Sequence, residues 1–430
     1  MRGLLHDAGY VFEKQVTDAG ADLDLVPHVF WDRMGNAENW IETQDFTREG
    51  RPDLHVLHVL TPHPAWEHLP DGSGYAGSAE RPRGLFIDSW SAWGVDVARQ
   101  RHALQMQASD ALLGDLLDRL RADGAYEDSL VVVTADHGYA FVPDAPWRAL
   151  AEDNFHDIMW TPLIVKAPGQ TDGVVDDSNV NTLDIVPTIA AELGVDRLPW
   201  ETDGRPAGTV ERDPADKWIV DWGAGRLHPD GEDSDIVEVD GEEGFARVLA
   251  SDPVEGTGPL AAWQRTEHGG LLGRDVSDLE VGVPDDVAVQ VVGHEQWDDV
   301  DLDRPPLEVV GRAALPADAI VAVTVDGRVA ATVPVGPGAY GVSVVHALLW
   351  PEVMNEGRND IGMFRVEGPP ASPILHELTV VPEPRRSEPK EGSSAPVAAA
   401  VAGGAAVLVI GGWLVRRGRR KSTSSPSTTR

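Results

Sequence analysis

The apolar run Ser129–Phe141 breaks off in Asp136-His137-Gly138. A carboxylate next to an imidazole offers two good ligands for a hard or borderline divalent cation. A glycine directly after them lets the chain turn sharply with no Cβ in the way. In open α/β sheets, ligands bind beyond the carboxyl ends of the strands. A buried strand that closes on Asp136 and His137 would present both groups at that edge, with Thr134 placed for a supporting contact. The alternative is an Asp136 that caps the next turn and a His137 that sits on the surface.

The elements that must position these groups are legible around them. Asp53 to Trp66 reads as a buried strand that ends in a proline-rich turn. Gly94 to Gly124 reads as a long helix. Leu113, Leu116, Leu117 and Leu120 fall at i, i+3, i+4 and i+7, and Gly124 is the stop. The Val-rich run "SLVVVTADHG" is a second buried strand. Thr161 to Gln170 is a third strand and turn, and Asn181 to Val195 is a helix with Pro187 near its first turn. Strands alternating with helices argue for a layered α/β sheet. After about residue 205, Gly, Asp and Pro dominate, and an irregular connecting region is expected over 206–285. From 286 to 380 the pattern is of short alternating strands. The clearest is "AIVAVTVDGRVAATVPV", two runs joined at Asp326-Gly327, a type I′ hairpin signal. A small β-sandwich is expected there. Residues 381–396 form a polar, proline-rich linker.

Composition excludes several classes. The 430-residue chain carries a net charge of -36 with a pI near 4.6, so binding nucleic acid by phosphate neutralisation is not expected. Only five of its 35 basic residues are lysines. With no cysteine, disulfides, thiolate nucleophiles and Cys-ligated zinc are ruled out. Val397 to Val415 holds nineteen residues without a charge, about one bilayer span. Arg416, Arg417, Arg419, Arg420 and Lys421 follow it within a 416–430 basic tail. Flanking basic residues stay on the cytoplasmic side. The expectation is a cell-membrane protein with one C-terminal transmembrane helix and its main domains outside the cytoplasm. The opening "MRGLLHDAGYVFEKQ" is not a signal peptide, because it carries early charges and no long apolar core.

"VVVTADHG" after an amphipathic helix resembles the metal-binding strand of the alkaline phosphatase–sulfatase superfamily. "LHVLTPHPAWEHLPDGSGY", "PLIVKAPGQ" and "NTLDIVPTIAAELGV" match in the expected order. The likeness covers roughly residues 1–205 and is closest to bacterial membrane-associated sulfatases, with lipoteichoic-acid-synthase-like transferases as relatives. It implies an alkaline-phosphatase-like layered sheet and one divalent cation (Mn, Ca, Mg or Zn) held by Asp136 and His137 against a sulfate- or phosphate-ester substrate. It matches His63 to a histidine that contacts the transferred group or protonates the leaving oxygen. His63 follows a buried strand and could reach the same edge, or it could be a structural histidine wedged between two prolines and Trp66. Arg148 could grip an anionic oxygen bidentately or be a solvated loop residue. Lys166, just past a strand, could assist or serve packing. His156 is a weaker ligand candidate.

The family also carries an earlier strand that ends in metal-binding acids, followed by a nucleophile: formylglycine made from a Cys or Ser near Pro and Arg, or a plain Thr or Ser. This sequence has no Cys and no such Ser motif. The α/β domain therefore reads as truncated, a fragment without its nucleophile and inactive by itself. Three functions follow as expectations: a membrane-anchored extracytoplasmic hydrolase of sulfate or phosphate esters; a phosphoglycerol or phosphoethanolamine transferase; and a non-catalytic surface protein that binds a glycan or partner.

Overall fold

The computed structural model describes residues 24–30, 34–47, 53–76, 91–148, 150–151, 153–195, 198–209, 212–213, 216–221, 235–250, 260–338 and 341–383. Strand β1 (Asp24–Phe30) pairs in parallel with β2 (Asp53–Val59), and helix α1 (Gly35–Thr43) lies between them in sequence. Helix α2 (Ala92–Ala122) begins at Ser91, whose hydroxyl accepts from the Gly94 N–H. It ends with Arg119 and Arg121 in its last turn, where cations complement the carbonyl end. At 31 residues it spans about 46 Å and is the spine of the unit. One stretch packs Ala108 and Leu112 against Met34, Trp40 and Ile41. Another packs Val95 and Ala98 against Trp66 and Phe141. Leu104 enters the core of the β-rich region that follows.

Strand β3 (Val131–Thr134) pairs antiparallel with β4 (Leu163–Lys166), and a short helix α3 (Phe155–Met159) lies between them in sequence. A 3₁₀ turn at Thr182–Asp184 leads into α4 (Ile185–Glu192), with Pro187 in the first turn, where its missing N–H costs nothing. Asp184 is the keystone of this corner. It is 1% exposed, takes Arg212 bidentately at 2.5 and 2.8 Å, and accepts the Asn181 and Arg205 N–H groups at 2.8 Å each. The described strands of this half form separate two-stranded ladders, β1–β2 and β3–β4, rather than the single layered sheet expected. β3 and β4 are only four residues long, and Ile164 keeps 56% exposure.

The stretch expected to be irregular holds β5 (Asp216–Asp221), β6 (Asp235–Asp240) and α5 (Gly241–Ala250). The two strands pair antiparallel. The same stretch ends with β7 (Glu280–Val281), and beyond it come β8 (Ala288–Val291), β9 (Glu308–Ala313), β10 (Ile320–Val325), β11 (Arg328–Pro334), β12 (Gly336–Pro337), β13 (Ser343–Leu348), β14 (Ile361–Glu367) and β15 (Ile374–Pro382). The order is β11-β10-β14-β15-β8-β9-β13-β12, with β7 beside β15. β15 is the hinge strand: Ile374–Leu378 pair with β14, and Thr379–Pro382 pair with β8. The two halves face each other. A Cβ built at Gly311 on β9 would lie 2.7 Å from Val289 and 3.7 Å from the Met363 methyl on β14. Val321, Val323 and Val325 fill that core, while Ala322 turns to a smaller one under Leu271 and Val329. At the β10–β11 turn, Asp326 and Gly327 have φ of 48° and 80°, as a type I′ turn requires.

α2 is fastened to this sandwich by buried polar groups. Arg101 pairs with Glu308 at 2.5 Å and lies 3.1 Å from His346 Nε2, and all three are at most 4% exposed. Gln100 donates to the Ala262 carbonyl at 2.9 Å. No helix among the described residues is long and apolar enough to cross a membrane. The transmembrane helix expected at 397–415, the basic tail 416–430 and all but the start of the linker lie outside the described residues.

Candidate functional site

β3 delivers Asp136 and His137 together. The Asp136 Oδ1 accepts the His137 backbone N–H at 2.9 Å, and its Oδ2 lies 3.7 Å from His137 Nε2. His137 Nδ1 sits 2.8 Å from the Gly138 carbonyl. The carbonyl can only accept, so that contact places a proton on Nδ1 and turns Nε2 toward the Asp136 carboxylate. Both side chains reach solvent, at 45% and 27% exposure. Gly138 is required by a close approach: its N–H donates to the Ile158 carbonyl at 2.6 Å, and an added Cβ would stand 2.1 Å from the Asp157 carbonyl oxygen. The loop is thus seated on α3. Thr134 turns its hydroxyl toward the Ala135 carbonyl, 3.4 Å away, and not toward Asp136.

His63 lies in the turn after β2. Its N–H donates to the Leu60 carbonyl at 2.7 Å, and its Nδ1 lies 2.5 Å from the Pro64 carbonyl. Gln105, buried on α2, fixes this turn. Its amide donates to the His63 carbonyl at 2.8 Å, and its oxygen accepts the Glu67 N–H at 3.1 Å. Aromatic rings tie the β2 exit to the β3 exit. Trp66 lies edge-on to Tyr139 at 5.3 Å, and His102 of α2 lies 5.8 Å from Trp66 and 5.0 Å from Phe141. Burial among these rings lowers the His102 pKa to about 4, which keeps it neutral. Tyr139 stacks on Trp147 at 5.1 Å. Burial raises the Tyr139 pKa and the charge of Arg148 opposes that rise, so Arg148 stands near this cluster.

Lys166 is not at this edge. It is paired with Val131, at the opposite end of the ladder from Asp136. Its ammonium donates to the carbonyls of Tyr126, Glu127 and Ser129, and it lies 4.6 Å from the Tyr126 ring centre. Being thus occupied, it closes the α2–β3 turn instead of meeting a substrate. His156 is buried, with Nε2 3.4 Å from the Asp157 carboxylate. Gln105 and His102 were not foreseen. The signal was faint: polar groups at i and i+3 on a helix, near the stretch that carries Val95 and Ala98.

Asp136 and His137 supply two donors of suitable chemistry. Among the described residues no group of three or more His, Asp or Glu is gathered to hold a metal ion. Two donors do not make a coordination sphere, so no chemical step is assigned here to a cation.

Residues 35–195 match the Sulfatase family model. The chain is 24% identical over 188 residues to an ulvan-active sulfatase of Formosa agariphila, covering 42% of this chain and 35% of the relative. It is 27% identical over 171 residues to a lipoteichoic acid synthase of Staphylococcus saprophyticus, covering 38% of this chain and 24% of the relative. It therefore matches about a third and a quarter of the lengths of these curated relatives. Among solved structures, a phosphonate monoester hydrolase of Silicibacter pomeroyi aligns at 20% identity and a TM-score of 0.30, over 40% of this chain and 39% of that one. A structure from work on glycosaminoglycan metabolism in Bacteroides thetaiotaomicron aligns at 19% and 0.33, over 47% and 45%. Asp136, His137 and His63 all lie within residues 35–195, the segment that matches the Sulfatase family model and is similar to these relatives.

Proposed function

We propose that this protein takes part in cleaving sulfate or phosphate esters, with Asp136 and His137 at the reacting centre and His63 on the neighbouring loop. The observation that carries this reading is the paired geometry at the end of β3, inside the matched segment, with Nε2 of His137 3.7 Å from the Asp136 carboxylate. A nucleophile is needed as well. We place it, with the remaining cation ligands, outside the matched residues, since the chain covers only 35% and 24% of its curated relatives. Arg148, whose charge is felt by Tyr139, contacts an anionic oxygen in this reading. Lys166 is not part of it.

A second reading, transfer of a phosphoglycerol or phosphoethanolamine group to an alcohol, is favoured by the likeness to a lipoteichoic acid synthase. One assay separates the two: nitrophenyl sulfate, nitrophenyl phosphate and a phosphodiester are incubated with Mn²⁺ or Ca²⁺, with and without glycerol. Hydrolysis independent of glycerol supports the hydrolase, and a glycerol adduct supports the transferase. The assay is run on the protein as its cells make it, and absence of turnover there counts against both readings. Membrane anchoring through Val397–Val415 belongs to the same proposal, supported by that uncharged run and the basic cluster after it. Release of the protein by alkaline carbonate washing would count against it.

A further inference from the structure

Two arginines, Arg99 on α2 and Arg265 paired to the same helix through Asp96, each keep a buried N–H that has no acceptor among the described residues. Arg99 on α2 donates Nη2 to the Phe141 carbonyl at 3.0 Å, and its guanidinium lies 5.8 Å from the centre of the Phe141 ring. Arg265, in the loop between α5 and β7, pairs through Nη2 with Asp96, three residues before Arg99 on α2. The Arg265 side chain is 9% exposed and that of Asp96 is 41%, so solvent is reached on the carboxylate's side. Arg99 Nε and Arg265 Nη1 are both buried without an acceptor among the described residues. The two cations repel each other: the Arg265 pKa is lowered first by burial and further by Arg99, against the pull of Asp96. Asp96 thus answers Arg265, and Arg99 is met by the Phe141 carbonyl and ring with no carboxylate of its own, in a chain whose net charge is -36.

Buried charged donors left unsatisfied are costly, and their best acceptor is an anion that can take several N–H groups at once. We propose that Arg99 and Arg265 form an oxyanion-binding site, suited to a sulfate or phosphate group, with Asp96 as the competing carboxylate at its mouth. The site lies on different residues from the Asp136–His137 pair and does not rest on the hydrolase reading. The anion is either free in solution or carried on a larger molecule, and the chemistry that holds it is the same.

The test is isothermal titration of sodium sulfate, and separately of sodium phosphate, into the full 430-residue chain, with sodium chloride holding ionic strength constant. Saturable one-to-one binding is expected. Arg265→Gln should weaken it by about tenfold, the worth of one charge-assisted hydrogen bond. Arg99→Lys keeps the charge and removes the Nε donor, and it should weaken binding similarly. Asp96→Asn should tighten binding, because the competing negative charge is gone. If Arg265→Gln does not fold by circular dichroism, the other two variants carry the test. Absence of binding, or binding that Arg99→Lys and Asp96→Asn leave unchanged, overturns the site. Glucose 6-sulfate separates the sources: affinity well above that of sulfate identifies a sugar-borne group, and affinity no higher identifies the free anion. The readout is binding without turnover, so failure of the hydrolase reading leaves this result standing, and the reverse holds too.

Discussion

Gly138→Ala tests how the Asp136–His137 loop is held. The added methyl carbon would stand 2.1 Å from the Asp157 carbonyl oxygen and 3.2 Å from its carbon. Both atoms are backbone of α3 and cannot swing aside. The loop must lift, which breaks the Gly138 N–H to Ile158 carbonyl bond of 2.6 Å. Overpacking of this kind costs about 1–3 kcal/mol, and the lost hydrogen bond adds about 1 kcal/mol. The expected loss is therefore roughly 2–4 kcal/mol. Residues 1–383 form one contact unit. At ~2 cal/mol/K of unfolding entropy per residue, a unit that size shifts by on the order of 3–5 °C in Tm. Urea denaturation followed by tryptophan fluorescence gives the free energy, and calorimetry gives the Tm. A variant that unfolds at the wild-type midpoint would refute the seating of this loop on α3.

Asp184→Ala removes the bidentate acceptor of the half-buried Arg212 and orphans the Asn181 and Arg205 N–H groups, and it should cost about 2–4 kcal/mol at pH 7 by urea denaturation. Burial would raise the Asp184 pKa, but Arg212 and two backbone N–H groups outweigh it and hold it at about 2. Its contribution is therefore complete above the unfolded carboxylate value near 4 and is lost as pH falls through about 2. His102 behaves differently. Its folded pKa of about 4 lies below the unfolded value near 6.5, so the unfolded chain binds the proton first and stability falls as pH drops from about 6.5 to about 4. That loss should reach about 3 kcal/mol, and His102→Phe should remove it; an unchanged pH dependence would contradict the burial argument. Lys166→Met should cost about 1–3 kcal/mol by freeing three carbonyls, and an unshifted midpoint would return Lys166 to the groups free to meet an anion.

Local signals survived folding best. Leucine spacing marked α2, Asp326-Gly327 marked a turn whose two positive φ angles few other residue pairs accept, and Asp-His-Gly marked the end of β3. Long-range facts were hidden. Lys166 does sit at a strand end, but antiparallel pairing with β3 puts that end opposite Asp136, and pairing direction is not written in either strand. Strands β5 and β6 lie in a stretch so rich in Gly, Asp and Pro that their short alternation was masked. Gln105 is an ordinary helical residue until the β2 exit folds over it and offers a carbonyl and an N–H to one amide. Partners that distant in sequence leave no mark on composition or periodicity.

The most direct test of the central claim is ester turnover by the protein purified from the cells that make it, whatever its full length, compared with chromosomal Asp136→Ala and His137→Ala variants. Aryl sulfate and aryl phosphate are offered with Mn²⁺ or Ca²⁺ present. Turnover that falls by about a hundredfold or more in each variant, while urea midpoints stay near wild type, is the expected result. Turnover that both variants retain in full would show that the chemistry resides elsewhere and that the paired acid and imidazole are structural.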